Sequence, residues 1–268
     1  MGDIDVIKNL YSMKNKICLI TGGSSGLGSY IARGFLEAGA SRVYITARSE
    51  DKLIKKADEL TKISDGECIA ISGDLSNLDG VKKLVSEITT KEKHIDVLVN
   101  NAGIGLGTPI KTMKVEDWDK TMDLNTKSPI FLTQALLGML SKNATLEEPS
   151  RVIFISSVAA SIVVPSVLAY SASKKVLEHL TSQLALAVSD DFIRVNAIAP
   201  GRFFSEMTRR AWQDPNAESF KAELKKIPAH RYGDENDMAG VAVMLCSRAG
   251  AYFHGEILNL DGGYRLTF

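Results

Sequence analysis

Short apolar runs alternate with longer amphipathic segments along this chain. The apolar runs have the length of buried strands, and the longer segments repeat their apolar residues every three to four positions, as helices do. Strands are predicted at residues 17–21, 42–46, 67–73, 95–100, 151–157, 192–198 and 256–260. Helices are predicted at residues 50–62, 78–90, 115–140, 168–189 and 236–247. This alternation predicts an α/β fold, a doubly wound parallel sheet with helices on both faces.

A glycine-rich turn follows the first predicted strand. The stretch Gly22-Gly23-Ser24-Ser25-Gly26-Leu27-Gly28 separates that strand from a helical pattern at residues 30–36. Glycines let a backbone approach a pyrophosphate closely, and the start of a helix offers free N–H groups and a positive dipole end. The spacing Gly-x-x-x-Gly-x-Gly differs from the Gly-x-Gly-x-x-Gly of most dinucleotide sites. The residues predicted to bind a dinucleotide here are Gly22, Ser24, Ser25, Gly26, Leu27 and Gly28.

A phenol and an ammonium lie four residues apart, at Tyr170 and Lys174. On a helix this spacing places both side chains on one face, with Cβ atoms about 5–6 Å apart. A nearby cation favours the phenolate, and lowering a tyrosine pKa by about three units requires roughly 4 kcal/mol. The pair is therefore predicted to act as a general acid/base. An ordinary surface pair is the alternative, because many helices contain this spacing.

Taken together, these motifs resemble those of the short-chain dehydrogenase/reductase family, and the similarity extends over residues 16–263. Six motifs occur in the family's order: Thr21 to Gly28, Asp74-Leu75, Asn100-Asn101-Ala102-Gly103, Asn125, Ser157 with Tyr170 and Lys174, and Pro200-Gly201. The resemblance implies a Rossmann fold and a nicotinamide-dependent oxidoreductase.

The resemblance also implies a catalytic tetrad of Asn125, Ser157, Tyr170 and Lys174. Tyr170 would donate a proton to a carbonyl oxygen while Ser157 hydrogen-bonds the developing oxyanion. Lys174 would lower the pKa of Tyr170 and hold the nicotinamide ribose, and Asn125 would hold a water that links Lys174 to solvent. The further residues expected to bind the cofactor are Asp74, Leu75, Asn101, Ala102, Gly103, Tyr170, Lys174, Pro200, Gly201, Phe203 and Ser205.

The end of the second predicted strand decides the choice of cofactor. An NAD site needs a carboxylate there for the ribose 2′-OH, whereas an NADP site needs a cation for the 2′-phosphate. This chain has Ala47 and Arg48 at that point, and a guanidinium suits phosphate binding. We therefore predict NADP(H), with Arg48 at the 2′-phosphate. The alternative is that Arg48 is a solvated charge paired with Glu50 or Asp51.

The substrate is predicted from the segment after Pro200-Gly201. In related enzymes this region forms a mobile lid, which we expect at about residues 202–228 with two short amphipathic helices. Ser205 stands where the family commonly has threonine, which weakens the expected contact to the nicotinamide amide. An apolar pocket for a ketone with a hydrophobic body is predicted from Val158, Val163, Val164, Phe203, Phe204 and Trp212. Packing of these residues beneath the lid is the alternative.

Composition and charge narrow the range of partners. Of the 268 residues, 45% are apolar, which fits one domain at residues 16–268 after a polar leader at residues 1–15. The formal net charge is zero, with 32 basic and 32 acidic residues, so attraction to nucleic acid or an anionic membrane is not expected. Widely spaced cysteines in apolar runs and four histidines without ligand spacing predict no disulfide and no metal.

Location and assembly follow from the remaining patterns. No apolar run approaches the roughly 20 residues of a membrane span, and the first 15 residues lack the apolar region of a secretory signal. We therefore expect a cytoplasmic protein. Family members usually pair through the helices expected at residues 115–140 and 168–189, which predicts a homodimer or homotetramer. The apolar residues assigned to their outer faces are Ile130, Leu137, Leu177 and Leu184.

Three functional hypotheses agree with these features. The first is an NADPH-dependent carbonyl reductase acting on a ketone, of which a 3-oxoacyl thioester is one version. The second is an NAD(P)⁺-dependent dehydrogenase of a sugar, polyol or other alcohol. The third is a non-catalytic scaffold that kept the nucleotide-binding fold, and the presence of all four tetrad residues argues against it.

Overall fold

The computed structural model describes residues 3–205, 214 and 217–268. Its strands are β1 (Ile17–Thr21), β2 (Arg42–Ala47), β3 (Glu67–Ser72), β4 (Val97–Asn100), β5 (Ser150–Ile155), β6 (Ile193–Pro200) and β7 (Ile257–Leu260). Its helices are α1 (Asp3–Leu10), α2 (Gly26–Glu37), α3 (Glu50–Thr61), α4 (Leu78–Lys91), α5 (Val115–Met122), α6 (Ser128–Ser141), α7 (Leu168–Ala187), α8 (Glu218–Lys225) and α9 (Glu235–Cys246).

All seven strands form one parallel sheet in the order β3-β2-β1-β4-β5-β6-β7. The predicted doubly wound sheet is therefore confirmed. Strand β1 pairs with β2 on one side and β4 on the other, so Leu19 lies beside both Tyr44 and Leu98. Strand order reverses between β1 and β4, and a crevice opens at such a point beyond the carboxyl ends of the strands.

Two apolar clusters cover the faces of the sheet. Because neighbouring residues of a strand point to opposite faces, Ile20 joins one cluster and Leu19 joins the other. The first cluster packs α2 and α9 against the sheet, with Phe35 and Leu245 fully buried. The second packs α4, α6 and α7 on the other face, around Phe154. The strands are thus covered on both sides, which explains their nearly continuous apolar sequences.

The predicted helix at residues 115–140 is interrupted. A π-helical turn, Asp123–Lys127, separates α5 from α6. Within this turn lies Asn125, whose side chain exchanges two hydrogen bonds with the main chain of Ile104, both 2.9 Å long. These bonds hold Asn125 against the loop after β4. The helical pattern of the sequence did not indicate this widened turn.

Further expectations concern the N-terminal leader, the lid, the outer faces of the long helices and the domain boundary. The polar leader contains a helix, α1, before β1. Of the expected lid, α8 is one short helix, while residues 206–213, 215 and 216 lie outside the described residues. Leu177 was assigned to an outer face but is only 1% exposed, because it packs in the cluster around Phe154. The division into residues 1–15 and one domain at 16–268 stays a prediction.

Arg151 lies inside the fold and pairs with no carboxylate among the described residues. Its side chain at the start of β5 is almost completely buried and donates to the carbonyls of Leu245 and Ser247, at 3.1 and 3.0 Å, and to that of Pro149. The carbonyls of Leu245 and Ser247 belong to the end of α9, where helix carbonyls lack partners within the helix. Arg151 therefore caps α9 from the neighbouring strand.

Replacing this arginine should destabilise the protein. We expect Arg151→Leu to lower the free energy of unfolding by roughly 2–4 kcal/mol, since each buried polar group left without a partner costs roughly 1–3 kcal/mol. Urea denaturation measures the change. Arg248→Leu removes the same charge from an exposed position nearby and should cost less than about 0.5 kcal/mol. Equal losses in the two variants would contradict the capping role.

Candidate active site

A cavity of about 1250 Å³ opens at the carboxyl ends of the strands. Parallel strands bring their ends to one edge of the sheet, so residues distant in sequence meet there. The cavity extends from the glycine-rich turn after β1, past the ends of β2 to β6, to the C-terminal residue Phe268. The predicted site residues that border it are Gly22, Ser24, Ser25, Gly26, Leu27, Arg48, Asp74, Leu75, Asn101, Ala102, Gly103, Ser157, Val158, Val163, Val164, Tyr170, Lys174, Pro200, Gly201, Phe203 and Ser205.

The glycine-rich turn is held tightly against the end of β4. Gly22 has φ +70° and Gly26 has φ +57°. Residues with a side chain larger than hydrogen rarely adopt these backbone angles. A Cβ at Gly28 would lie 2.6 Å from the Asn101 amide nitrogen and would also meet the Gly22 carbonyl. The same amide donates to the carbonyls of Thr21 and Gly22, at 2.8 and 3.0 Å. Asn101 therefore fixes the shape of the turn.

This turn fits a pyrophosphate. Ser25 precedes α2 in an extended conformation, and its hydroxyl makes no capping hydrogen bond to the helix. The first N–H groups of α2 have no intrahelical partners, and the positive end of the helix dipole favours an anion. Leu27 and Gly26 border the cavity at this helix start, while Gly28 packs beneath it. The residues present thus match the needs of a dinucleotide phosphate.

Tyr170, Ser157 and Lys174 meet at the centre of the cavity. Tyr170 and Lys174 lie on α7, where the Lys174 Nζ is 5.7 Å from the centroid of the Tyr170 ring. Ser157 follows β5, and its hydroxyl is hydrogen-bonded to Tyr170 and accepts from the Ala159 N–H at 3.2 Å. The Lys174 ammonium donates to the Ile155 carbonyl at 2.7 Å, so its position is fixed by the same strand end.

Burial dominates the ionisation of both α7 side chains. It raises the pKa of Tyr170, and the hydrogen bond from Ser157 opposes this rise. Burial also lowers the pKa of Lys174 to about 8. We expected Lys174 to lower the tyrosine pKa, but in this structure loss of water around the phenol is the larger effect. Tyr170 is therefore a protonated phenol at neutral pH, the form that donates a proton.

Asn125 lies behind these three residues and does not border the cavity. It is 1% exposed, and besides its two bonds to Ile104 its amide donates to the Ser173 hydroxyl at 3.1 Å. A Cβ at Gly103 would lie 3.1 Å from the Asn125 carbonyl oxygen and 3.6 Å from the Lys174 Nζ. Gly103 therefore allows Asn125 and Lys174 to lie close together.

Arg48 is exposed at the start of α3 and borders the cavity. Within the part of the chain that the structure describes, it forms no ion pair with Glu50 or Asp51. Its guanidinium is thus available to a ligand, and no carboxylate borders the cavity at the end of β2. This arrangement suits the 2′-phosphate of NADP(H).

The substrate end of the cavity has one apolar and one polar wall. Val158 is buried, and Val163 is 85% exposed at the mouth. On the polar wall, the Arg202 Nε lies 2.6 Å from a Glu223 carboxylate oxygen, and Lys226 lies beside them.

Two predicted pocket residues differ from expectation. Phe203 borders the cavity but is 3% exposed, because its side chain packs in the cluster that contains α9. Phe204 does not border the cavity, since its ring lies 5.2 Å from that of Tyr232 on the other side of the loop. Trp212 lies outside the described residues.

The cavity also contains residues that the sequence did not indicate. Ile104, Ile162, Glu223, Lys226, Tyr264 and Phe268 border it. Ile162 and Tyr264 pack with Val158 in a third apolar cluster beneath α8. Tyr264 and Phe268 arrive from the end of the chain, where no motif marks them. The apolar spacing of α8 predicted the position of this helix. It did not predict that the polar side chain of Glu223 borders the cavity.

Cys18, Cys68 and Cys246 are free and buried. In residues 3–205 and 217–268, no group of three or more His, Cys, Asp or Glu side chains is placed to hold a metal ion. None of the described helices is both long and apolar enough to cross a membrane.

The chain is similar to proteins of known activity over nearly its whole length. Residues 22–265 match a family model described as enoyl-(acyl carrier protein) reductase. A rhamnolipids biosynthesis 3-oxoacyl-[acyl-carrier-protein] reductase of Pseudomonas aeruginosa is 42% identical, over 96% of this chain and 98% of its own length. A glucose 1-dehydrogenase of Gluconobacter oxydans is 35% identical, over 94% and 92%.

A solved structure agrees with these similarities. The Pseudomonas aeruginosa RhlG/NADP active-site complex superposes with a TM-score of 0.91 at 39% identity, covering 96% of this chain and 99% of that one. A match of this extent, together with the cradle for a pyrophosphate and the available Arg48, assigns NADP(H) as the cofactor. The chain belongs to the short-chain dehydrogenase/reductase family and is an NADP-dependent oxidoreductase.

Proposed function

We propose that this enzyme reduces a ketone to a secondary alcohol, with Tyr170 as the general acid. The observation that supports this most is the meeting of Tyr170, Ser157 and Lys174 at the cavity beside an apolar wall, where loss of water raises the pKa of Tyr170. When bound, NADPH supplies a hydride to the carbonyl carbon. Tyr170 then donates its proton to the carbonyl oxygen, and the Ser157 hydroxyl hydrogen-bonds the developing negative charge.

Lys174 and Asn125 support this proton transfer in the proposal. The Lys174 ammonium, fixed by the Ile155 carbonyl, holds a ribose hydroxyl and favours the phenolate that remains after the proton leaves. Asn125 keeps the loop after β4 in place, and we propose that a water links it to the ammonium on the other side of Gly103. The proton lost from Tyr170 would be replaced by this route.

The ketone we favour is a 3-oxoacyl thioester. The apolar wall of Val158, Ile162 and Val163 suits an acyl chain, and the 42% identical relative is named as a 3-oxoacyl reductase. A sugar or polyol dehydrogenase is the second candidate. The polar wall of Arg202, Glu223 and Lys226 suits hydroxyl groups, and another relative is named as a glucose 1-dehydrogenase. A non-catalytic scaffold disagrees with the family assignment.

A homodimer or homotetramer and a cytoplasmic location remain part of the proposal. Exposed apolar side chains on α6 and α7 support association, in particular Phe131 and Val176, which are 42% and 39% exposed. Burying such side chains between copies of the chain would be favourable. Of the residues expected at this interface, Leu177 is buried, and Ile130, Leu137 and Leu184 are partly buried against the same core cluster.

Removing the Tyr170 hydroxyl tests the general acid. We expect Tyr170→Phe to lower kcat by roughly 10²–10⁴-fold, as is typical for loss of a general acid, with NADPH binding nearly unchanged. The assay is NADPH oxidation with the acetoacetyl thioester of N-acetylcysteamine, compared with NADP⁺ reduction in the presence of glucose. Faster turnover of glucose would favour the second candidate. A variant with more than about a tenth of wild-type activity would reject Tyr170 as the acid.

The pKa of Lys174 predicts a loss of reductase activity at alkaline pH. Burial lowers this pKa to about 8, so the ammonium is present below that pH and is lost above it. Tyr170 stays protonated through this range because burial raises its pKa. We expect kcat/KM for ketone reduction to fall as pH rises through about 8. Initial rates between about pH 6 and 10 measure this, and a profile without that fall would contradict the expectation.

Removing the guanidinium of Arg48 tests the choice of cofactor. Arg48→Ala loses a charge-assisted contact of about 1.5–3 kcal/mol, which raises the Kd of NADPH by roughly one to two orders of magnitude. The Kd of NADH should barely change, because NADH lacks the 2′-phosphate. Ala47→Asp should weaken NADPH binding through like charge and strengthen NADH binding.

Nicotinamide fluorescence measures both dissociation constants in each variant. Lys55→Ala is the matched control, since it removes one exposed charge of α3 that does not border the cavity. Equal losses for NADPH and NADH in Arg48→Ala would show that this arginine supports the loop and does not contact the phosphate.

A further inference from the structure

A buried carboxylate lies beneath the proposed catalytic residues. Glu178 is on α7, one turn after Lys174, and is only 7% exposed. It does not border the cavity, so it is out of reach of a ligand there. Burying an ionised carboxylate is unfavourable unless partners compensate for the lost water. The described structure supplies two such partners, Ser156 and Lys175.

These two partners differ in their surroundings. The Ser156 hydroxyl donates to one Glu178 oxygen at 3.0 Å and is buried. The Lys175 ammonium lies 3.2 Å from the other oxygen, but its side chain is 67% exposed. An exposed ion pair contributes little in water. The hydrogen bond from Ser156 is therefore the contact that compensates most for burying the Glu178 carboxylate.

Ser156 lies between two residues that hydrogen-bond the proposed catalytic side chains. The preceding residue, Ile155, accepts the hydrogen bond of Lys174, and the following residue, Ser157, is hydrogen-bonded to Tyr170. The main-chain N–H of Ser156 donates to the Ile198 carbonyl on β6 at 2.7 Å. Its side chain donates to Glu178 on α7. The end of β5 is thus held from both sides.

We infer that Glu178 is a positioning residue: through Ser156 it fixes the end of β5 against α7 and so sets the placement of Ser157 relative to Tyr170. Stability alone does not require this arrangement, since replacing a buried charge by a well-packed apolar side chain is often neutral or stabilising. Placement of reacting groups is more demanding, because a misplacement of about 1 Å can lower a rate by about 10²-fold. The inference rests on the proposed roles of Ser157 and Tyr170.

Four variants test this inference by steady-state kinetics with NADPH and the acetoacetyl thioester of N-acetylcysteamine. Glu178→Leu and Ser156→Ala each break the bond and should lower kcat about tenfold, with the Kd of NADPH changed by less than about twofold. Glu178→Gln keeps an oxygen that accepts from Ser156 and should retain at least about a third of wild-type kcat. The double variant should be no slower than either single variant, because both remove the same contact.

The controls separate positioning from other effects. Lys175→Ala removes the exposed partner and should leave kcat unchanged. Turnover by the wild-type enzyme is measured first. If the wild type does not turn over this thioester, the proposed reaction is rejected, and that result does not bear on the role of Glu178. Folded Glu178→Leu with wild-type kcat would overturn the inference, as would additive losses in the double variant. If Glu178→Leu does not fold, Glu178→Gln and Ser156→Ala decide: similar kcat values in these two would overturn it.

Discussion

The site depends on the hydrogen bonds that join the end of β1 to the end of β4. The Thr21 hydroxyl accepts from the main-chain N–H groups of Asn101 and Ala102, each at 2.9 Å. The Asn101 side chain returns two bonds to the carbonyls of Thr21 and Gly22. Strand order reverses between these two strands, and the crevice that holds the site opens at that point. Without these bonds the glycine-rich turn would lack a fixed shape.

The chemistry of the cavity then follows from removal of water. On one helix Lys174 is buried and Tyr170 is partly buried, and the loss of water shifts both pKa values towards the neutral forms. The raised pKa of Tyr170 favours the reductive direction near neutral pH, because the phenol holds its proton there. Lys174, with its pKa lowered to about 8, is still mostly charged at that pH.

Sequence patterns predicted most of the fold and the main part of the site, for physical reasons. Strands buried on both faces must be apolar throughout, so β1 and β5 were evident. Helical spacing placed Tyr170 beside Lys174, and the glycine spacing located the turn at Gly22. The contact between Ser156 and Glu178 could not be predicted, since it depends on how β5 packs against α7. The orientation of Phe204 likewise depends on a loop without periodic pattern.

The π-helical turn at Asp123–Lys127 makes this part of the chain intolerant of inserted or deleted residues. The N–H of Ser128 bonds the Asp123 carbonyl, five residues back, so the turn contains one residue more than an α-helical turn. Each residue of an α-helix advances the side chains by about 100°. Loss of one residue would rotate α6 relative to α5 and separate Asn125 from Ile104. Natural variation in length should therefore avoid residues 123–127 and occur in the exposed loop at residues 142–148.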